Sequence, residues 1–243
     1  MKTKIIFSII FIVLLIGTGV YYLLPVIKNQ MLGNEVVLFI DKTDVQKEQL
    51  KVDDIFSLLD MNKHMWQRNK IALQTLSNFE YNNIQEKELP FAFFLLSNPK
   101  KRKKEIGQFK TALDTALQSI YAIDSGRTRS SIYEPVVRTL NELSKSKAHS
   151  RILIVQSDLQ ENTQTFSVYR ESDYVVLQKH REQIIGRFTK ILSLQDIHGI
   201  EVYLIYQPKS DADNDRFILM ANLFKEILEQ KGAVVHIGSN IFN

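Results

Sequence analysis

Cysteine is absent from all 243 residues, which excludes disulfides, thiolate metal ligands and a lipid-modified N-terminal cysteine. Glycine is scarce, at nine, and neither a Gly-x-Gly-x-x-Gly run nor a Walker A loop occurs, so both familiar phosphate-cradling turns are missing. No Gly-x-Ser-x-Gly elbow of a hydrolase is present either. His64, His149, His180, His198 and His236 show no paired metal-ligand spacing. Asp211, Asp213 and Asp215 alternate like the start of an EF-hand loop, but Arg216 stands where that loop needs glycine and Asn222 where it needs glutamate. These carboxylates read instead as negative charge at a helix start. No proline-, serine- or glycine-rich linker, internal repeat or low-complexity tract divides the chain.

What is present begins with an uncharged run from Ile5 to Leu24, behind Lys2 and Lys4. As a helix it matches the thickness of a bilayer's hydrocarbon core. A cleavable signal has a shorter apolar stretch and small residues at the cut, whereas this run ends in Tyr21, Tyr22 and Pro25, and no alanine precedes Ala72. The expectation is a retained single-pass anchor over residues 1–30, with tyrosines at the interface. The positive-inside rule then puts the amino terminus in the cytoplasm and the bulk of the chain outside it, in the periplasm or beyond. Residues 31–243 suffice for one domain with a full core. The net charge of +4 is modest and clusters at Lys100–Lys104, read as a solvated loop and first helical turn, so nucleic acid is not an expected partner.

Apolar runs of strand length recur at Val36–Ile40, Phe91–Leu96, Ile152–Val155, Val202–Tyr206 and Val234–Ile237. Their continuous apolar character predicts burial on both faces. Between them, helical spacing links Ile106, Phe109, Leu113, Leu117 and Ile120, and again Ile132, Val136, Leu140 and Leu143. Tyr174–Leu194 and Arg216–Glu229 are two further helix candidates, the last closed by Gly232. From Gln46 to Phe94 the pattern is least decisive; Leu50 to Met65 reads as helical, with Ile71–Phe79 continuing it and Met65 and Trp66 in the core. Strands alternating with helices predict an α/β fold, an open, doubly wound and mostly parallel sheet with helices on both faces.

In such a sheet the functional crevice lies at the carboxyl ends of the strands, where strand order reverses. The first strand runs into Asp41 and the third apolar run into Ser157 and Asp158. Two carboxylates in one crevice call for a cation. Thr43 stands two residues beyond Asp41, and Ser125, Thr128, Ser130 and Ser131 precede the helix at Ile132. An oxygen-only set suits Mg²⁺ or Mn²⁺, with Ca²⁺ a third candidate. Each residue also has a plainer reading, with Asp41, Asp44 and Asp158 capping helices or turns and the hydroxyls doing the same.

At these residues the chain resembles a von Willebrand factor type A domain, whose metal-ion-dependent adhesion site follows three motifs. The first, Asp-x-Ser/Thr-x-Ser, is matched by Asp41-Lys42-Thr43-Asp44-Val45, with Val45 replacing the third ligand. The second, a Thr or Ser just ahead of a helix, is matched by Ser130-Ser131-Ile132-Tyr133, with Ser130 the best match and Thr128 and Ser131 as alternatives, and the third by Ser157-Asp158. The resemblance runs from about Glu35 to Ile241 and looks like the less typical bacterial members. It implies a divalent ion held by Asp41, Thr43, Ser130 and Asp158 that in turn holds an acidic side chain of a protein partner. The implied activity is coordination, not catalysis. With the anchor, this reads as a membrane-tethered binding module whose partner belongs to cell-envelope, secretion or transfer machinery. The alternatives are a Mg²⁺-dependent phosphatase or phosphotransferase with Asp41 as nucleophile, for which Thr43 replaces the usual second aspartate, and a structural scaffold with a vestigial metal site.

Overall fold

The computed structural model describes residues 2–42, 48–76, 84–122 and 131–242 and, within them, every side chain except those of 2–13, 15, 16 and 76. Helix α1 (Lys2–Leu32) leads through Gly33 alone into strand β1 (Asn34–Asp41). There follow α2 (Val52–Leu58), β2 (Asn69–Leu76), β3 (Gln85–Leu89), α3 (Pro99–Tyr121), α4 (Tyr133–Ser144), β4 (Ser150–Gln156), α5 (Glu171–Lys179), α6 (Arg181–Ile191), β5 (Ile200–Ile205), α7 (Asp211–Glu229) and β6 (Val234–Gly238). The strands form one sheet in the order β3-β2-β1-β4-β5-β6, parallel except for the antiparallel edge strand β3.

Strand periodicity divides β1 between two cores, because successive side chains point to opposite faces. Val36, Leu38 and Ile40 join Ile55 of α2 and Phe109, Leu113 and Leu117 of α3 on one face. Val37 and Phe39 join α4, α6 and α7 on the other, where Tyr133 stacks on Phe188 at 4.6 Å between ring centroids and Phe166 and Phe224 meet the same ring edge-on. Helices therefore cover both faces, as the continuous apolar runs predict.

Three expectations are corrected. Phe91–Leu96 is a turn-containing loop and not a strand. Pro90, which has no N–H for a ladder, ends the pairing just before it. The edge strand is the polar Gln-Glu-Lys-Glu-Leu stretch, whose alternating burial suits a half-solvated edge. Residues Asn69–Leu76 form the parallel core strand β2, not the continuation of a helix. The helix expected over Tyr174–Leu194 is two, parted at His180, whose φ of −141° and ψ of 55° leave the helical region.

The basic run is also only partly solvated. Asn98 caps α3 through the N–H groups of Lys100 and Lys101. Arg102 is 2 % exposed, its guanidinium donating to the carbonyls of Met65 at 2.6 Å and Gln67 at 3.1 Å and pairing with Glu105 at 3.2 Å. Among the described residues no helix is long and apolar enough to cross a membrane; most of the run Ile5–Leu24 lies where side chains are not described.

Candidate functional site

β1 sits between β2 and β4, so the chain winds away from it in both directions and the strand order reverses there. The carboxyl ends of β1 and β4 flank the crevice that such a reversal opens. Asp41 closes β1 and is 1 % exposed; Ser157 and Asp158 follow β4, 0 % and 7 % exposed. Ser157 Oγ donates to Asp41 Oδ2 at 2.6 Å and accepts the N–H of Leu159 at 2.9 Å. One hydroxyl thus ties the β1 carboxylate to the turn after β4. Asp158 Oδ1 accepts the N–H of Gln160 at 2.9 Å, an Asx-type turn. Leu159 between them has a φ of +57°, a strained value for leucine, offset by complete burial of its side chain.

Sequence reasoning brought Asp41 and Asp158 to adjacent strand ends, and the structure places both there. Thr43 and Ser130, the hydroxyl donors of the expected set, lie outside the described residues, as do Asp44, Val45, Ser125 and Thr128. Ser131, one of the two alternatives to Ser130, lies close enough to Glu161 to pull its carboxyl down. Among the described residues no three His, Asp or Glu side chains converge as a metal-binding group.

Glu161 is the residue that motif reading missed. It is 2 % exposed, and its Oε2 accepts the N–H groups of Ile132 at 2.8 Å and Tyr133 at 2.9 Å, two donors that the start of α4 leaves orphaned. Burial pushes the carboxyl up to about 7, against the pull of those two N–H groups and Ser131. The available signal was Ile132 itself, which has no side-chain oxygen with which to cap the helix it precedes.

The turn after β4 extends to α7. Gln160 Nε2 donates to Asp213 Oδ1 at 2.7 Å, while Tyr206 Oη and the Lys209 N–H donate to Asp213 Oδ2 at 2.7 and 2.9 Å. Desolvation raises the Asp213 carboxyl, but these donors outweigh it and hold the group below its ordinary range. Asp211 and Asp213 occupy the first turn of α7 behind the Ser210 cap, the helix-start role expected of them. Opposite, Tyr121 Oη donates to Gln156 Oε1 at 2.5 Å and accepts the Leu50 N–H at 2.9 Å, and Gln156 Nε2 donates to the Glu48 carbonyl at 2.8 Å. Burial raises the Tyr121 hydroxyl well above its usual range, so it stays protonated as this donor. The described residues also line a groove of about 440 Å³ beside α1, one of about 670 Å³ between α3 and the loop after β3, and one of about 720 Å³ along α2 and α3 that includes Glu48 and Leu50.

No protein-family model and no curated protein matches the chain. Among solved structures, an aerotolerance-related membrane protein from Bacteroides fragilis, crystallised with multiple mutations to serines, aligns over 84 % of this chain and 91 % of its own at 12 % identity, with a TM-score of 0.33. A likeness of that size carries no argument about fold or function.

Proposed function

We propose that the chain is a membrane-tethered, protein-binding module of the von Willebrand factor type A kind, whose crevice holds a divalent cation and, through it, an acidic side chain of a partner. The observation that carries this reading is Asp41 and Asp158 at the carboxyl ends of the two strands where the order 3-2-1-4-5-6 reverses. The cation would be Mg²⁺ or Mn²⁺, with hydroxyl oxygens of Thr43 and Ser130 completing the set. The donors that are described, two carboxylates and the Ser157 hydroxyl, fit a hard cation.

The tether is α1. Its described portion exposes Val20, Tyr21, Tyr22, Leu24 and Val26 without a covering partner in the domain, and an apolar helix exposed in this way needs lipid around it. Lys2 and Lys4 orient it with the domain outside the cytoplasm. An envelope or transfer-machinery protein would then be the partner met on that side.

Calorimetric titration of Mg²⁺ and Mn²⁺ into the full chain in detergent tests the crevice. Binding weakened more than about tenfold by Asp41→Ala and by Asp158→Ala, with both variants melting as one cooperative domain, is the expected result. One specific observation favours a second reading, a scaffold with a vestigial site: both carboxylates already accept hydrogen bonds from their own chain, Asp41 from Ser157 and Asp158 from Gln160. Heats indistinguishable from dilution for both ions would select it.

A further inference from the structure

The loop Phe91–Leu96 carries the two most exposed large apolar side chains of the described residues outside α1, Leu95 at 65 % and Leu96 at 85 %, with Phe94 beside them at 37 %. The loop is ordered by its own bonds. Ala92 N–H donates to the Trp66 carbonyl at 3.0 Å, Leu96 N–H to the Phe93 carbonyl at 3.0 Å, and the Phe93 and Phe94 rings meet edge to face. Directly behind it, exposed Lys100, Lys101, Lys103 and Lys104 occupy the first turns of α3, which has no acidic residue in its first turn. Glu105 pairs with Arg102 and, at 3.9 Å, with Lys101, and Glu88 pairs with Arg68, so these carboxylates do not offset Lys100, Lys103 and Lys104.

Both features are unfavourable in water. Exposed leucines keep apolar area hydrated, and cations at a helix N-terminus oppose its dipole. An anionic lipid interface relieves both, taking the leucines into its apolar zone and pairing its headgroups with the lysines. The topology puts them where such an interface would be. Leu89, the last residue of β3, pairs with Asn69 at the start of β2, and Asn69 pairs with Asn34 at the start of β1, the residue after Gly33 and α1. The loop therefore leaves the sheet at the same end as the anchor, about 10 Å to one side at two strand spacings.

We infer that Phe94, Leu95 and Leu96 with Lys100, Lys101, Lys103 and Lys104 form a second, peripheral contact with the anionic surface of the bilayer that α1 crosses. The inference rests on the reading of α1 as an anchor. Docking at this contact holds the domain with the amino ends of its parallel strands against the lipid.

The test uses the full chain, whose lack of cysteine allows one environment-sensitive fluorophore at Leu95→Cys or, as the distal control at the start of α7, at Asp215→Cys. Each is reconstituted in discs of phosphatidylcholine alone or with phosphatidylglycerol, and read with a spin-labelled lipid and with aqueous iodide. In phosphatidylglycerol discs the Leu95 probe is quenched by the lipid and shielded from iodide, and the Asp215 probe is the reverse. Each lysine near an anionic surface favours the docked state roughly fivefold, so changing all four to Gln returns the Leu95 signal to its phosphatidylcholine level. A chain that incorporates while Leu95 stays open to iodide overturns the inference and spares the anchor. Shielding from iodide without lipid quenching overturns it in favour of a protein contact, and equal lipid quenching in both discs overturns the role of the lysines. A chain that washes off the discs in alkaline carbonate overturns the anchor and the inference together.

Discussion

A carboxyl group pushed up to about 7 while it holds the N–H groups of Ile132 and Tyr133 at the start of α4 makes Glu161 a residue through which pH acts on stability. The folded value lies above the ordinary 4.5, so between those values the folded chain retains a proton that the unfolded chain has released. Stability from this group is fully present below the lower value, falls by about 3 kcal/mol as pH rises to the upper one, and is level above it. Urea midpoints at pH 5 and pH 8 should show the decline, and Glu161→Gln, which keeps an acceptor but cannot ionise, should remove it. Glu161→Ala leaves two buried donors unmet and should cost about 1–3 kcal/mol even at pH 5. Equal midpoints for the parent at both pH values would sink the argument.

At the scale of elements, Arg102 shows how one side chain of a charged run becomes structural. It reaches from α3 to the carbonyls of Met65 and Gln67 and fixes the segment that leads into β2. Arg102→Met fills similar volume without the donors and should lower stability by about 1–3 kcal/mol. Hydrogen exchange should speed at residues 65–69 and stay unchanged in α4; a uniform change across both would assign Arg102 a merely global role. Arg102 is the one arginine among four lysines, but that alone does not bury it, because helical phase relative to a loop from elsewhere decides which side chain is covered. The same limit hid β3, whose charged residues alternate at an edge while the apolar run after Pro90 looks more like a strand. His180 interrupts α5 and α6 with neither glycine nor proline to announce it. Long amphipathic patterns such as those of α3, α4 and α7 were legible because burial on one face leaves a period in the sequence.

For the whole molecule, a sheet covered on both faces makes two cores share one set of strands. Phe188→Ala opens the aromatic cluster of α4, α6 and α7 and should cost about 3–5 kcal/mol, whereas Ile55→Ala empties the opposite face for about 2–5 kcal/mol. Each should shift one cooperative transition seen alike by far-UV and near-UV dichroism; separated transitions would mean that the two faces unfold independently. The parallel sheet and the delivery of Asp41 and Asp158 to its carboxyl ends could be read from apolar runs ending in carboxylates. The Ser157 bridge, the Glu161 cap and the Gln160–Asp213 link could not, because each joins residues set by three-dimensional folding and not by spacing.

Only Gly33 separates α1 from the central strand, and its φ of +60° and its approach to the Arg68 carbonyl leave no room for a side chain. A pull on α1 is therefore not absorbed by a slack tether. It loads β1 lengthwise against β2 and β4 at once, in shear, so the rungs on both sides must yield together before the strand slides, and tension on α1 reaches the Asp41 end of the crevice through a single taut ribbon of backbone.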